Sequence, residues 1–206
     1  CTSPYACDFK GTCWKDIPEY SVFDLVNLRS NKKFDFYNQG ILSLDEASKH
    51  RDQLNDRQVR QIEAELTQET FIDKNNIRAF IDDLTYPLYY LDFETINPSI
   101  PLYDGSRPYQ ASVFQYSLHK QASKTAEVEH MDFLGDPAED PRLAFAEQMI
   151  RDCGDLGDIL VYNISFERGK IMDLAELFPN YKDTLQRIAE RLKDLMVPFK
   201  EQRYYA

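Results

Sequence analysis

Residues 88–95 read LYYLDFET, where five of the six residues before Glu94 are apolar or aromatic and two carboxylates stand two positions apart. A run this apolar belongs in the interior of a sheet. Side chains alternate faces along a strand, so Asp92 and Glu94 point one way and Phe93 the other. Like charges a few ångströms apart repel strongly where the dielectric is low, so something has to compensate the pair.

What surrounds this strand follows from periodicity. The stretch from residue 20 to 84 carries helix signals: Ser43 as an N-cap with Glu46 three residues on, then Asn55 or Asp56 as the cap of a helix with Val59, Ile62 and Leu66 on one face. A further helix would present Ile77, Phe80, Ile81 and Leu84. Pro87 marks a change of texture. After LYYLDFET, the segments ASVFQYSLHK and AEVEHMDFL alternate well enough to be strands. PRLAFAEQMIRDC reads as a helix capped by Asp140 with Pro141 at its first position. DILVYN is a short buried strand, SFERGKIMDLAELF the helix after it, and KDTLQRIAERLKDLM another helix. Three strands in a meander, then helix, strand and helix, point to an α/β layer with a mixed sheet flanked by helices, preceded by a small all-helical segment.

The opening stretch CTSPYACDFKGTCW places Cys1, Cys7 and Cys13 with five residues between neighbours. No secretory signal is present, so clustered thiols favour a metal or iron–sulfur site, or a zinc site, over disulfides. A fourth ligand would lie upstream, and the chain is expected to be a piece of a longer protein. Cys153, far away at a helix end, reads as a packed thiol. No apolar run approaches the roughly 20 residues of a membrane span. The expectation is a soluble, cytoplasmic chain with no membrane partner. A net charge of −11 argues against a general nucleic-acid binder, whose affinity comes from Lys and Arg. The objection weakens if carboxylates hold metal ions that themselves carry the positive charge.

A second stretch, LVYNISFERGK, gives the acids a chemistry. A buried strand ends at Tyr162 and Asn163, and a helix follows with Glu167 in its first turn. If this strand neighbours LYYLDFET in the sheet, Glu167 faces Asp92 and Glu94. Hard cations such as Mg2+ or Mn2+ favour carboxylate oxygens. Two such ions about 4 Å apart activate water and stabilise the leaving oxygen in phosphodiester cleavage. Arg107, in the loop after the first strand, is the best placed candidate for a phosphate contact.

Together YLDFETI and VYNISFERGKI resemble the first and second motifs of DnaQ-like exonucleases of the DEDD group, which have the RNase H-like fold. More closely, the whole chain resembles an uncharacterised bacterial family of unknown-function domains in which a RecB-like iron–sulfur nuclease domain precedes a DnaQ-like domain. The resemblance implies three regions: residues 1–19 as the cysteine-rich tail of the RecB-like part, 20–86 as a helical linker, and 87–206 as an RNase H-like domain truncated at its C-terminus. It implies Asp92, Glu94 and Glu167 as ligands of a two-ion Mg2+ or Mn2+ site, Asn163 and Phe166 as substrate-binding residues, and Cys1, Cys7 and Cys13 as holders of an iron–sulfur cluster. The third acid of that group is usually Asp, where this chain has Glu167. The group's last motif, Tyr or His followed by Asp on a helix, is not visible before Ala206, and Asp194 matches a non-catalytic position. The expected function is a metal-dependent 3′–5′ exonuclease acting on single-stranded ends of DNA or RNA. The alternative is a non-catalytic binding or scaffold module on the same fold.

Overall fold

Reciprocal caps set the helices of the first part of the chain. At Ser43 the hydroxyl accepts from the Glu46 N–H and the Glu46 carboxylate returns to the Ser43 N–H, which starts α3 (Leu44–Ser48). Asn55 and Gln58 form the same box at α4 (Asp56–Thr67). The computed structural model describes residue 5, residues 7–201 and residues 204–205. The chain divides into two compact units, Cys1–Ile77 with Pro198–Ala206, and Arg78–Val197.

In the first unit, α1 (Lys10–Cys13) and α2 (Ser30–Asn38) precede α3 and α4, and the core gathers Val22, Phe36, Ile41, Leu44 and Ile62. The buried face of α4 differs from the expected apolar stripe. Leu66 is exposed, while Gln58 and Gln61 are buried beside Ile62. Backbone groups of the turn at residues 24–26 need partners there, and the amides provide them. Gln61 accepts from the Val26 N–H at 2.8 Å and donates to the Asp24 carbonyl at 3.1 Å; Gln58 donates to the Val26 carbonyl at 3.0 Å. A two-residue strand, β1 (Phe71–Ile72), also interrupts the expected helical run. Next, α5 (Lys74–Asp82) leads out of this unit.

The second unit is built on a five-stranded mixed sheet. Its central strand β2 (Leu88–Ile96) pairs antiparallel with β3 (Ser112–Gln121), which pairs antiparallel with β4 (Val128–Leu134). On its other side β2 runs parallel to β5 (Ile159–Val161), and β5 parallel to β6 (Leu192–Asp194). Parallel neighbours require crossovers. Here α6 (Arg142–Cys153) precedes β5, and α7 (Ile164–Leu177) with α8 (Lys182–Glu190) joins β5 to β6. Tyr89, Leu91 and Phe93 of β2 pack with Tyr116 and Leu118 of β3 against Phe145, Ile171 and Leu185 from the helices. The Phe145 ring meets those of Phe93 and Tyr116 edge-on, each at 5.2 Å. This is the α/β mixed sheet flanked by helices that the periodicity predicts, with a helical segment before it.

The last predicted helix is shorter than its apolar pattern. It stops at Glu190, and Leu192–Asp194 becomes β6 instead of another helical turn. The open edge of the buried strand β5 has backbone groups that only another strand can satisfy. Arg191 sits at the switch, its guanidinium donating to the carbonyls of Cys153, Gly154, Leu156 and Gly157 while its own carbonyl accepts from the Ile159 N–H. At the start of α6, Pro141 occupies the cap position and Asp140, one residue earlier, accepts from the Arg142 N–H. Beyond the sheet come α9 (Val197–Lys200) and β7 (Tyr204–Tyr205), the latter antiparallel to β1. No helix among the described residues is long and apolar enough to cross a membrane.

Candidate active site

From Tyr89 to Glu94 the two faces of β2 alternate strictly. Tyr89, Leu91 and Phe93 are buried, while Tyr90, Asp92 and Glu94 face outward and are exposed. A bulge after Glu94 breaks the ladder with β3 at that point. Tyr90 stands opposite Leu160, so two residues on, Asp92 comes level with the end of β5; Val161 of β5 stands opposite Asp194 of β6. Neighbouring strands are roughly 4.8 Å apart. Asp92 and Asp194 therefore flank β5 at the carboxyl edge of the three parallel strands, the edge where open α/β sheets bind their ligands.

The turn from β5 into α7 brings the third acid in. Asn163 takes a left-handed backbone, φ 71°, which Asn tolerates better than most residues. Its N–H donates to Asp194 Oδ1 at 3.1 Å, and the same oxygen accepts from the Met196 N–H at 2.9 Å. Asp194 thus ties the two turns together. The Asn163 side chain does not cap α7 and stays exposed. From this start, Glu167 falls in the first turn of α7 and is only 3 % exposed. Its Oε2 is buried with no hydrogen-bond partner among the described residues.

Burial pushes the Glu167 carboxyl up from the ordinary glutamate range, and the charges of Asp92 and Asp194 push it further. A bond from its own backbone N–H acts the other way, as a helix N-terminus should, but burial and the two acids outweigh it. An orphaned carboxylate oxygen, two further acids and an exposed edge suit a hard divalent cation, which would give Oε2 a partner and relieve the repulsion. Among the described residues, no three His, Cys, Asp or Glu side chains already stand as a set that could hold a metal.

The other sequence candidates lie as follows. Glu94 continues the Asp92 face, and Phe166 is 37 % exposed on α7 beside Glu167. Arg107 is exposed in the loop after β2 and lines a separate cavity. Cys7 is half-buried, Cys13 exposed and Cys153 buried, all as free thiols; Cys1 lies outside the described residues. Asp194, which the resemblance set at a non-catalytic position and the helix reading placed in a last helical turn, is the acid the structure adds beside Asp92 and Glu167. Its signal is thin, a three-residue strand after an amphipathic helix, and only the parallel pairing with β5 reveals where it points.

Fold and site together define an α/β domain with an acidic cluster at the carboxyl ends of its parallel strands. A family model, the domain of unknown function DUF2779, matches residues 89–206, and the chain belongs to that family. No curated protein and no solved structure matches the chain.

Proposed function

We propose that the domain is a metal-dependent 3′–5′ exonuclease, cleaving phosphodiester bonds at single-stranded ends of DNA or RNA in the cytoplasm. The observation that carries the reading is Glu167: a carboxylate buried at the ligand edge of the sheet, with an oxygen that no group among the described residues satisfies. The similarity of YLDFETI and VYNISFERGKI to DnaQ-like motifs supplies the reaction class. Asp92, Glu94 and Glu167 would hold Mg2+ or Mn2+, which supplies an activated water and neutralises charge on the phosphate. Burial keeps Glu167 from competing water and fixes its direction, because α7 starts from a turn that Asp194 anchors. The exposed Asn163 amide can donate to a phosphate or sugar oxygen. The exposed rings of Tyr162 and Phe166 flank it and offer faces on which bases stack. Within the same proposal, Cys7 and Cys13 belong with Cys1 to an iron–sulfur segment of a preceding RecB-like domain.

Calorimetric titration of Mn2+ into the wild type and the Asp92→Ala variant tests the site. Micromolar-to-millimolar binding in the wild type that disappears in the variant is expected, together with Mn2+-dependent shortening of a single-stranded oligonucleotide. Equal heats for the two proteins would sink the metal site and leave a non-catalytic binding or scaffold module as the better reading.

A further inference from the structure

A second feature adjoins the acids. Between the loop at residues 105–111 with the start of β3, the start of α6 and the second half of α7 lies a cavity of about 240 Å3. Its position relative to the acids follows from register. Ser112 and Val113 on one wall stand opposite Ile96 and Thr95, directly beyond Glu94 on β2. Lys170 on the other wall is three residues after Glu167, a rise of about 4.5 Å along the same stripe of α7. The cavity is thus next to the acidic edge and separate from it.

Its chemistry is set by hydrogen-bond donors left over. Arg142 is 7 % exposed and anchors the floor: Nε and Nη2 donate to the Asp140 carboxylate, Nη2 also to the Asp104 carbonyl and Nη1 to Ser106 Oγ. That leaves one N–H on Nη1. Lys170 donates to the Ala111 carbonyl at 3.2 Å and to Asp173, which leaves its third N–H. The Arg107 guanidinium has no partner among the described residues; its backbone N–H donates to Gln110 Oε1 at 3.0 Å and its carbonyl accepts from the Gln110 N–H at 3.1 Å. The Gln110 amide N–H groups and the buried Ser112 hydroxyl add further donors. Against them stand the carboxylates of Asp173, paired to Lys170, and Glu176, exposed at the rim. Donors outnumber acceptors, so an acceptor-rich guest fits. The volume is below the roughly 300–1,000 Å3 of pockets that bury a drug-sized ligand, so the guest is a group and not a whole molecule.

We infer that this cavity receives a phosphodiester group of the nucleic-acid strand, flanking the bond at the acidic edge, with Arg107 and Lys170 as its ligands and Arg142 as its support. The inference rests on the exonuclease reading for the identity of the strand and on the donor inventory for the anion. Arg107 closes on the phosphate from the exposed loop, while Lys170 shares its third N–H without leaving Asp173.

The test is fluorescence anisotropy of a short labelled oligothymidylate, in chelator so that no cleavage occurs, at several salt concentrations. Arg107→Gln and Lys170→Gln should each weaken binding about tenfold, as expected for loss of one charge-assisted hydrogen bond. Each should also lower the slope of log affinity against log salt by about 0.7, the release expected for one phosphate contact on a single strand. Asp92→Ala should not lower that slope. Unchanged affinity and slope in both cavity variants would overturn the inference, whatever the acidic edge does. So would a wild type that binds inorganic phosphate but no strand. Arg107-dependent strand binding in a protein that never cleaves would uphold the cavity and refute the exonuclease.

Discussion

Replacing Glu167 by Gln should stabilise the metal-free protein. Glu167 is 3 % exposed in the wild type, its carboxylate has one buried oxygen without a partner among the described residues, and it lies close to Asp92 and Asp194. A buried acceptor left unsatisfied costs about 1–3 kcal/mol. Gln has nearly the same shape, carries no charge and offers N–H groups to the neighbouring acids, so most of that cost should be recovered. For a chain of this length each kcal/mol moves Tm by roughly 2–4 °C, which puts the expected rise at several degrees near neutral pH. The pH dependence has a definite sign. Because the folded-state pKa of Glu167 is raised, the folded protein binds more protons than the unfolded chain between the ordinary value near 4.3 and the raised one. Wild-type stability falls as pH climbs through that window, and the full cost persists above it. Wild type and Glu167→Gln should therefore converge below about pH 4 and diverge as pH rises. Thermal unfolding followed by circular dichroism in chelator, between pH 4 and 8, reads this directly. Mn2+ should then raise the Tm of the wild type but not of the variant, since a cation bound only by the folded form stabilises it by mass action. A variant with equal or lower Tm at neutral pH would refute the reasoning that the site holds an uncompensated carboxylate.

Two further outcomes follow from packing. Arg191→Lys should destabilise the second unit by about 3 kcal/mol in urea unfolding, because an ammonium cannot span the four carbonyls of residues 153, 154, 156 and 157 that the guanidinium fork reaches. The Cys153 thiol, pushed up to about 12 by burial, should resist iodoacetamide in the native protein and react only after denaturation, whereas exposed Cys13 reacts at once. Peptide mapping by mass spectrometry separates the two.

Much of the fold was legible because local rules and tertiary packing agreed. The box at Ser43 formed where the spacing to Glu46 placed it, and of the two caps the sequence offered for the next helix Asn55 is the one used, with Gln58 completing its box. The alternation of LYYLDFET placed Asp92 and Glu94 on one face, and the neighbouring strands paired as a meander should. Glu167 was legible as a first-turn acid next to a buried strand. The failures occurred where a distant partner outbid the local pattern. Gln58 and Gln61 displaced Leu66 from the buried face of α4 because unpaired backbone at residues 24–26 needed amides. Residues 192–194 left the helix because β5 had an open edge.

By itself, then, the sequence determined which segments are helix or strand wherever period and caps coincide, and which acids share a strand face. The tertiary structure alone decided that Asp194 joins Asp92 around Glu167, that one oxygen of Glu167 is left without a partner among the described residues, and that Lys170 and Arg107 line a common cavity. The reason is physical: periodicity reports where a side chain points relative to its own element, whereas burial and charge coupling depend on which elements become neighbours. That is settled by pairings such as β5 with β6, between residues more than 30 positions apart in the chain.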